Sequence, residues 1–283
     1  VQKVVMKRIL VPTDFSENSL NAVNYALSFF KEKSIKFFLL HVSLMDEIDE
    51  KVCYYKYSEN DGQKKVMYNP IEKLKEEVRK IRELGLGKNH SFDCIHENVQ
   101  FIEAIRRNVE ENDIDYIVMG TKGASGRIDS VLGSQTAAVI TKVKCTILVI
   151  PEKAKYTQPK NVVFPTDFNN FYKGSLLDTL NKFLKINHTS LSVLYISKKV
   201  RDLTQYQKKN RGHLEDYLQD KPHSFYYITD ENIDNAIESF VEKTKADMIT
   251  MIAKNLNFFQ RILFQPMVEK ISYHTKIPFL VLH

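Results

Sequence analysis

Residues 116–140 read YIVMGTKGASGRIDSVLGSQTAAVI, and the reading of this stretch decides how the chain is organised. An apolar, β-rich run at 116–119 ends in a loop that carries Gly120, Gly123, Gly126 and Gly133. Ser134 then opens a helical pattern over 135–143. Four of the chain's nine glycines fall in this one connection. The loop therefore needs backbone freedom or lets another group come close. A strand, a Gly-rich loop and a helix start together offer several backbone N–H groups to an anion. Glycine count alone leaves two readings open: a cradle for a nucleotide phosphate, or a flexible connection with a helix cap.

Working outward, short apolar runs alternate with amphipathic ones. Residues 7–11 form a strand that Pro12 stops, and Asp14 or Ser16 can cap a helix over 17–31. Residues 35–42 are a second strand. Its unbroken apolar run from Phe37 to Leu40 predicts burial on both faces of a parallel sheet. Residues 43–69 are polar and irregular, an insert that reads as a lid or a disordered segment. A helix over 70–84 stops at Gly85 and Gly87, followed by a strand at 92–97, a helix at 101–112, the strand at 116–119 and a fifth strand at 145–150. This alternation predicts an open, mainly parallel α/β sheet with helices on both faces.

Residues 152–160, polar and proline-flanked, read as a linker, after which the pattern restarts. Pro165-Thr166-Asp167-Phe168 repeats Pro12-Thr13-Asp14-Phe15, residues 246–251 echo 114–119, and 277–282 echo 145–150. The chain is read as two copies of one α/β domain with five strands each, 1–151 and 161–283. The copies differ in the loop. Gly120, Gly123, Gly126, Gly133 and Ser134 align with Ile252, Asn255, Phe258, Gln265 and Pro266. Bulky side chains would block backbone approach there, and Pro266 has no N–H to donate. Glycines needed only for folding would be needed in both copies, so their loss in one favours a ligand role in the other. Asp167 keeps its context without the loop and reads as a helix cap.

Composition sets the bounds. With 283 residues, 43% hydrophobic and 27% charged, the chain has enough apolar content for a core. Its apolar runs fall far short of the roughly 20 residues a membrane helix needs, and no apolar leader precedes Met6, so Val1–Val5 read as a minor extension. Three cysteines, Cys53, Cys94 and Cys145, have no pairing pattern, which points to the cytoplasm and to roles as small buried hydrophobes. A net charge of +6, with lysines interleaved among acids, weighs against nucleic acid as a partner. There is no G-x-x-x-x-G-K-[ST], no G-x-G-x-x-G after the first strand and no G-x-S-x-G.

Gly120-x-x-Gly123, nine residues, then Gly133-Ser134 matches the G-2x-G-9x-G-S/T pattern of the ATP-binding universal stress proteins. With residues 11–16 (VPTDFS) and His41-Val42 at the strand ends, the chain resembles a tandem member of that family over nearly its whole length. The resemblance implies a Rossmann-like fold of the adenine nucleotide alpha hydrolase type. It implies Asp14 beside the ribose or a nucleotide-bound Mg, Val42 against adenine through its backbone, and Gly120, Gly123, Gly133 and Ser134 on the phosphates. Pro12 and Thr13 shape the floor, and Met119 belongs to the same set. Gln135 and Thr136, in the first helical turn, are expected to add side-chain donors. Arg127 is a loop cation that either pairs with a phosphate or is solvated; Lys122 reads as solvated, and His41 as a packing residue.

The cofactor expected is ATP with Mg, with AMP or another adenine nucleotide as alternatives. Family members pair through their last strand, so 146–150 and 279–282 are expected to pair within one chain as a pseudo-dimer. A further homodimer and an unidentified protein client are the other partners considered. No general base or water-positioning group is recognisable, so the chain is read as a nucleotide-binding regulatory protein of the stress response rather than an enzyme. The alternatives are a protein-interaction adaptor without functional nucleotide binding and a slow ATPase.

Overall fold

The computed structural model describes residues 6–31, 34–43, 54–57, 65–83, 85, 88–121, 132–199, 202–253 and 276–283. By contact the chain divides into two units, Val1–Met119 and Gly120–His283.

The first unit runs β1 (Lys7–Pro12), α1 (Glu17–Phe29), β2 (Ile35–Val42), β3 (Tyr54–Tyr57), β4 (Lys65–Tyr68), α2 (Pro70–Glu83), β5 (His90–Glu97), α3 (Phe101–Glu111) and β6, which spans Tyr116–Gly120 and so ends at the unit boundary. Its main sheet has the order β5-β2-β1-β6, all parallel. Ile9, Leu10, Val11, Leu40, Ile117 and Val118 are buried in it. Helix ends follow local chemistry. Ser16 caps α1, its side chain accepting from the Ser19 N–H. Pro70 opens α2 while Asn69 Oδ1 accepts from the N–H groups of Ile71 and Glu72. Gly85, at φ 70°, follows the end of α2 in the left-handed region.

The stretch 43–69, read from sequence as irregular, contains an antiparallel hairpin: β3 pairs β4 from Tyr54 opposite Tyr68 to Tyr57 opposite Lys65. Tyr- and Val-bearing runs flanking an Asp61-Gly62 dipeptide were the available signal.

The second unit runs α4 (Ser134–Lys142), β7 (Thr146–Ile150), β8 (Asn161–Thr166), α5 (Gly174–Asn187), β9 (Ser190–Ser197), α6 (Gln205–Leu218), β10 (His223–Thr229), α7 (Ile233–Thr244), β11 (Met248–Ile252) and β12 (Phe279–Leu282). Its strand order is β10-β9-β8-β11-β12-β7. All ladders are parallel except β12–β7, where Phe279, Leu280 and Val281 lie opposite Val149, Leu148 and Ile147. That ladder ties β7 into the second unit, which places the division by contact ahead of residues 152–160.

The two units share the order third, second, first, fourth among their main strands, and several local bonds repeat. Asp113 and Lys245 both take left-handed backbone, at φ 45° and 51°, after α3 and α7. The Ile114 N–H reaches the Val109 carbonyl as the Ala246 N–H reaches that of Val241. Asp115 Oδ2 accepts from the Arg8 N–H and Asp247 Oδ2 from that of Asn161, both at 2.9 Å. Beyond the fourth strand, Thr121 N–H bonds the Ile150 carbonyl and Ala253 N–H that of Leu282.

Candidate functional site

The first unit gathers its candidate residues at the carboxyl ends of β1, β2 and β6, where ligands of open α/β sheets bind. Pro12 ends β1 opposite Leu40, and the Thr13 N–H makes a further bond to the Leu40 carbonyl at 2.8 Å. Main-chain groups alternate along a strand. Ser43 N–H bonds the Glu97 carbonyl on the β5 side, so the main-chain N–H and C=O of Val42 face the β1 side, as Leu40 does. There β1 has already turned away. Val42 thus presents a donor and an acceptor beyond the last β1–β2 bond, a pair suited to the edge of a base.

The turn after β1 is built from its own side chains. Thr13 Oγ1 accepts from the Phe15 N–H at 3.1 Å, and Asp14 Oδ1 accepts from the Ser16 N–H at 3.0 Å. Asp14 is therefore not the helix cap; it secures Ser16, which is. Phe15 sits at φ 63°, a conformation that costs a bulky L-residue roughly 1–2 kcal/mol. Its ring lies 4.6 Å from the His41 ring, and Lys73 of α2 places Nζ 4.3 Å from its centroid. Buried His41 donates from Nδ1 to the Thr13 carbonyl at 2.8 Å, the packing role expected of it. His96 stacks 5.9 Å from His41 and bonds Ser43 Oγ through Nε2. Burial, followed by the nearby His41, pushes the His96 pKa down, while Glu97 opposes the shift. Met119, at the end of β6, is buried.

In the second unit, Gly120 and Thr121 continue from β6. Gly133 N–H bonds the Thr121 carbonyl at 2.7 Å and so anchors the far end of the loop. Gly133 is the N-cap of α4, at φ −66° and ψ 154°, and no side chain caps the helix. The first intrahelical bond is from Ala137 N–H to the Gly133 carbonyl, so the N–H groups of Ser134, Gln135 and Thr136 precede it. Ser134 and Gln135 are exposed. Thr136 corrects the sequence reading. Its buried hydroxyl donates to the Gly120 carbonyl at 2.9 Å and fastens the strand end to the helix, so it is not a donor for a ligand. Gly123, Gly126, Arg127 and Lys122 lie outside the described residues, as do 254–275 with the second loop.

The second copy keeps the turn and closes over it. Thr166 Oγ1 accepts from the Phe168 N–H and Asp167 Oδ1 from the Asn169 N–H, both at 3.0 Å. Asp167 does not cap a helix as expected: α5 starts at Gly174, with Lys173 as its N-cap. Tyr195 stands where the first copy has His41, and fully buried Phe168 stacks on it at 5.4 Å. From α6, the buried amides of Gln207 and Asn210 donate to the carbonyls of Asp167 and Phe168, each at 2.8 Å. Phe15, Phe168, Lys73 and these amides were not singled out by sequence; the repeated Phe after Pro-Thr-Asp was the one signal available for them.

Among the described residues no group of three or more His, Cys, Asp or Glu side chains is placed to hold a metal ion. Asp14 supplies a single carboxylate, which fits a Mg ion that arrives already bound to phosphates. No described helix is long and apolar enough to cross a membrane.

The family model described as "Universal stress protein family" matches residues 6–151, just over half of the chain. A universal stress protein of Methanocaldococcus jannaschii is 29% identical over 162 residues, spanning 53% of this chain and 98% of that protein. One of Bacillus subtilis is 24% identical over 157 residues, 52% of this chain and 99% of its own length. A solved universal stress protein structure from Archaeoglobus fulgidus covers 97% of each chain with a TM-score of 0.58 at 17% identity, a likeness of fold along the whole length. The strand order, the Gly-loop framework and these matches together establish that the chain belongs to the universal stress protein family.

Proposed function

We propose that the first copy binds one adenine nucleotide, ATP carried with Mg, and that the chain is a nucleotide-responsive regulator of the stress response. The observation that carries this reading is the uncapped start of α4. Gly133 has a torsion any residue adopts, so its lack of a side chain is explained by something that must come close rather than by backbone geometry. Three N–H groups with no intrahelical partner favour an anion there. In this reading Gly120, Gly123, Gly133 and Ser134 hold the phosphates through the main chain, Arg127 adds a cation, Val42 reads the base edge and Asp14 meets ribose or Mg. Pro12, Thr13 and Met119 form the floor. Gln135 contributes its first-turn N–H, and Thr136 acts by fixing Gly120.

The second copy, with Phe168 and Tyr195 filling its strand ends, is the partner rather than a second site, and the β7–β12 ladder makes the two copies a pseudo-dimer. We assign no catalytic step. Titration calorimetry with ATP-Mg tests the site: wild type should bind with one nucleotide per chain, and Gly123→Val or Gly133→Val should lose it. Equal binding by wild type and both variants would overturn the proposal.

A further inference from the structure

Beside α2, in the first unit, lies a groove of about 500 Å³ lined by Lys75, Val78, Arg79, Arg82, Glu83, Phe92 and Cys94. The nucleotide reading uses none of these residues. Phe92 and Cys94 are two apart on β5 and share one face of the sheet, with α2 above it. Among the described strands β5 pairs only with β2. Ser43 N–H bonds the Glu97 carbonyl, so Ser91, Asp93, Ile95 and Glu97 direct their main-chain groups inward to β2. The N–H and C=O groups of Phe92 and Cys94 therefore point away from the sheet, beside the groove. Such an edge is a template for another strand.

The groove is also charged in one sense, with three cations against the single carboxylate of Glu83. Lys75 and Arg79 are well exposed, with 60% and 69% of their side-chain surface accessible, and each meets a carboxylate of its own helix that an acidic peptide would have to displace, Glu72 at 2.8 Å and Glu83 at 3.8 Å. Arg82 makes no ion pair among the described residues. Positions 75, 79 and 82 form one stripe along α2, spaced about 6 Å and then about 4.5 Å along the axis. Same-face side chains of an extended peptide repeat about every 7 Å. Acidic side chains at alternate positions of an added strand would meet this stripe, while its intervening main chain pairs with β5.

We propose that the outer edge of β5, roofed by the cations of α2, takes an extended acidic segment of a partner protein as an added strand. The main-chain bonds supply strand addition, and Lys75, Arg79 and Arg82 select acidic over basic sequences. The proposal is independent of nucleotide binding.

A short fluorescent peptide alternating glutamate and valine is the probe, with a lysine–valine peptide as its counterpart. On the full chain the acidic peptide should bind saturably and more weakly at higher salt, and the basic one should not. The exposed double variant Arg79→Glu/Arg82→Glu should weaken the acidic peptide at least about tenfold. Amide exchange followed by NMR supplies the second measurement. Bound acidic peptide should slow exchange at Phe92 and Cys94 and leave the already bonded Asp93 and Ile95 unchanged. Failure of the acidic peptide to bind, equal binding of both peptides, indifference to the double variant, or binding without new protection at Phe92 and Cys94 would each overturn the proposal.

Discussion

Phe15 and Phe168 hold the same left-handed backbone, at φ 63° and 55°, each with its N–H bonded to the hydroxyl of the threonine two residues earlier. Their surroundings differ. Phe15 is half-buried between Lys73 and His41, whereas Phe168 is fully buried on Tyr195. One local turn thus serves an open strand end in one copy and a sealed one in the other.

The sealed turn should be the more sensitive. Thr166 Oγ1 accepts from Phe168 N–H and is bonded to the buried Tyr172 hydroxyl. Thr166→Val leaves both without that partner and should cost about 2–4 kcal/mol in urea unfolding. Tyr172→Phe alone should cost about 1 kcal/mol. The double variant should lose less than the two singles together, because they share one bond.

Acid should destabilise the first unit. Burial holds the pKa of His96, and also that of His90, below the usual 6.5. The unfolded chain then takes up these protons more readily than the folded one. Stability contributed by the neutral rings is present above about pH 6.5 and falls as the pH drops through it, levelling below the folded values. The urea midpoint should decline between about pH 7.5 and about pH 5.5, and His90→Asn/His96→Asn should flatten that slope.

The turn-closing aspartates should be worth more than surface ion pairs. Asp247 Oδ2 accepts from the N–H groups of both Lys160 and Asn161, at 2.8 and 2.9 Å. Asp247→Ala should cost about 1–3 kcal/mol and speed amide exchange at those two residues. Asp178→Ala, which removes an exposed partner of the Tyr217 hydroxyl, should change stability by less than about 1 kcal/mol.

Thr136 should matter to nucleotide without touching it. Thr136→Val keeps the shape but releases the Gly120 carbonyl. If the phosphates rest on that framework, ATP affinity should fall by about tenfold, and the buried carbonyl left without its donor should cost about 1–3 kcal/mol of stability, read by calorimetry and urea unfolding on the same preparation.

The main strands were legible because a parallel sheet imposes unbroken apolar runs: residues 37–40 are all buried, as their sequence requires. The repeat was legible in Pro-Thr-Asp-Phe. The hairpin at Tyr54–Tyr57 and Lys65–Tyr68 was lost because runs of four residues are too short to show a periodicity. Gly133 and Val42 stand at the helix start and the strand end where the sequence placed them. The sequence was misread where a side chain had two possible partners: Thr136 turned inward to a carbonyl, and Asp167 closed a local turn instead of capping a helix. A left-handed phenylalanine leaves no trace in composition, since the energy that holds it there comes from neighbours distant in sequence.

The β7–β12 ladder joins two strands of a single polypeptide. Pairing between separate molecules weakens as they become scarce, whereas here the tether fixes the local concentration of each strand for the other. The protein can therefore be made in very few copies per cell, or diluted without limit in the test tube, and these two edges will still find each other.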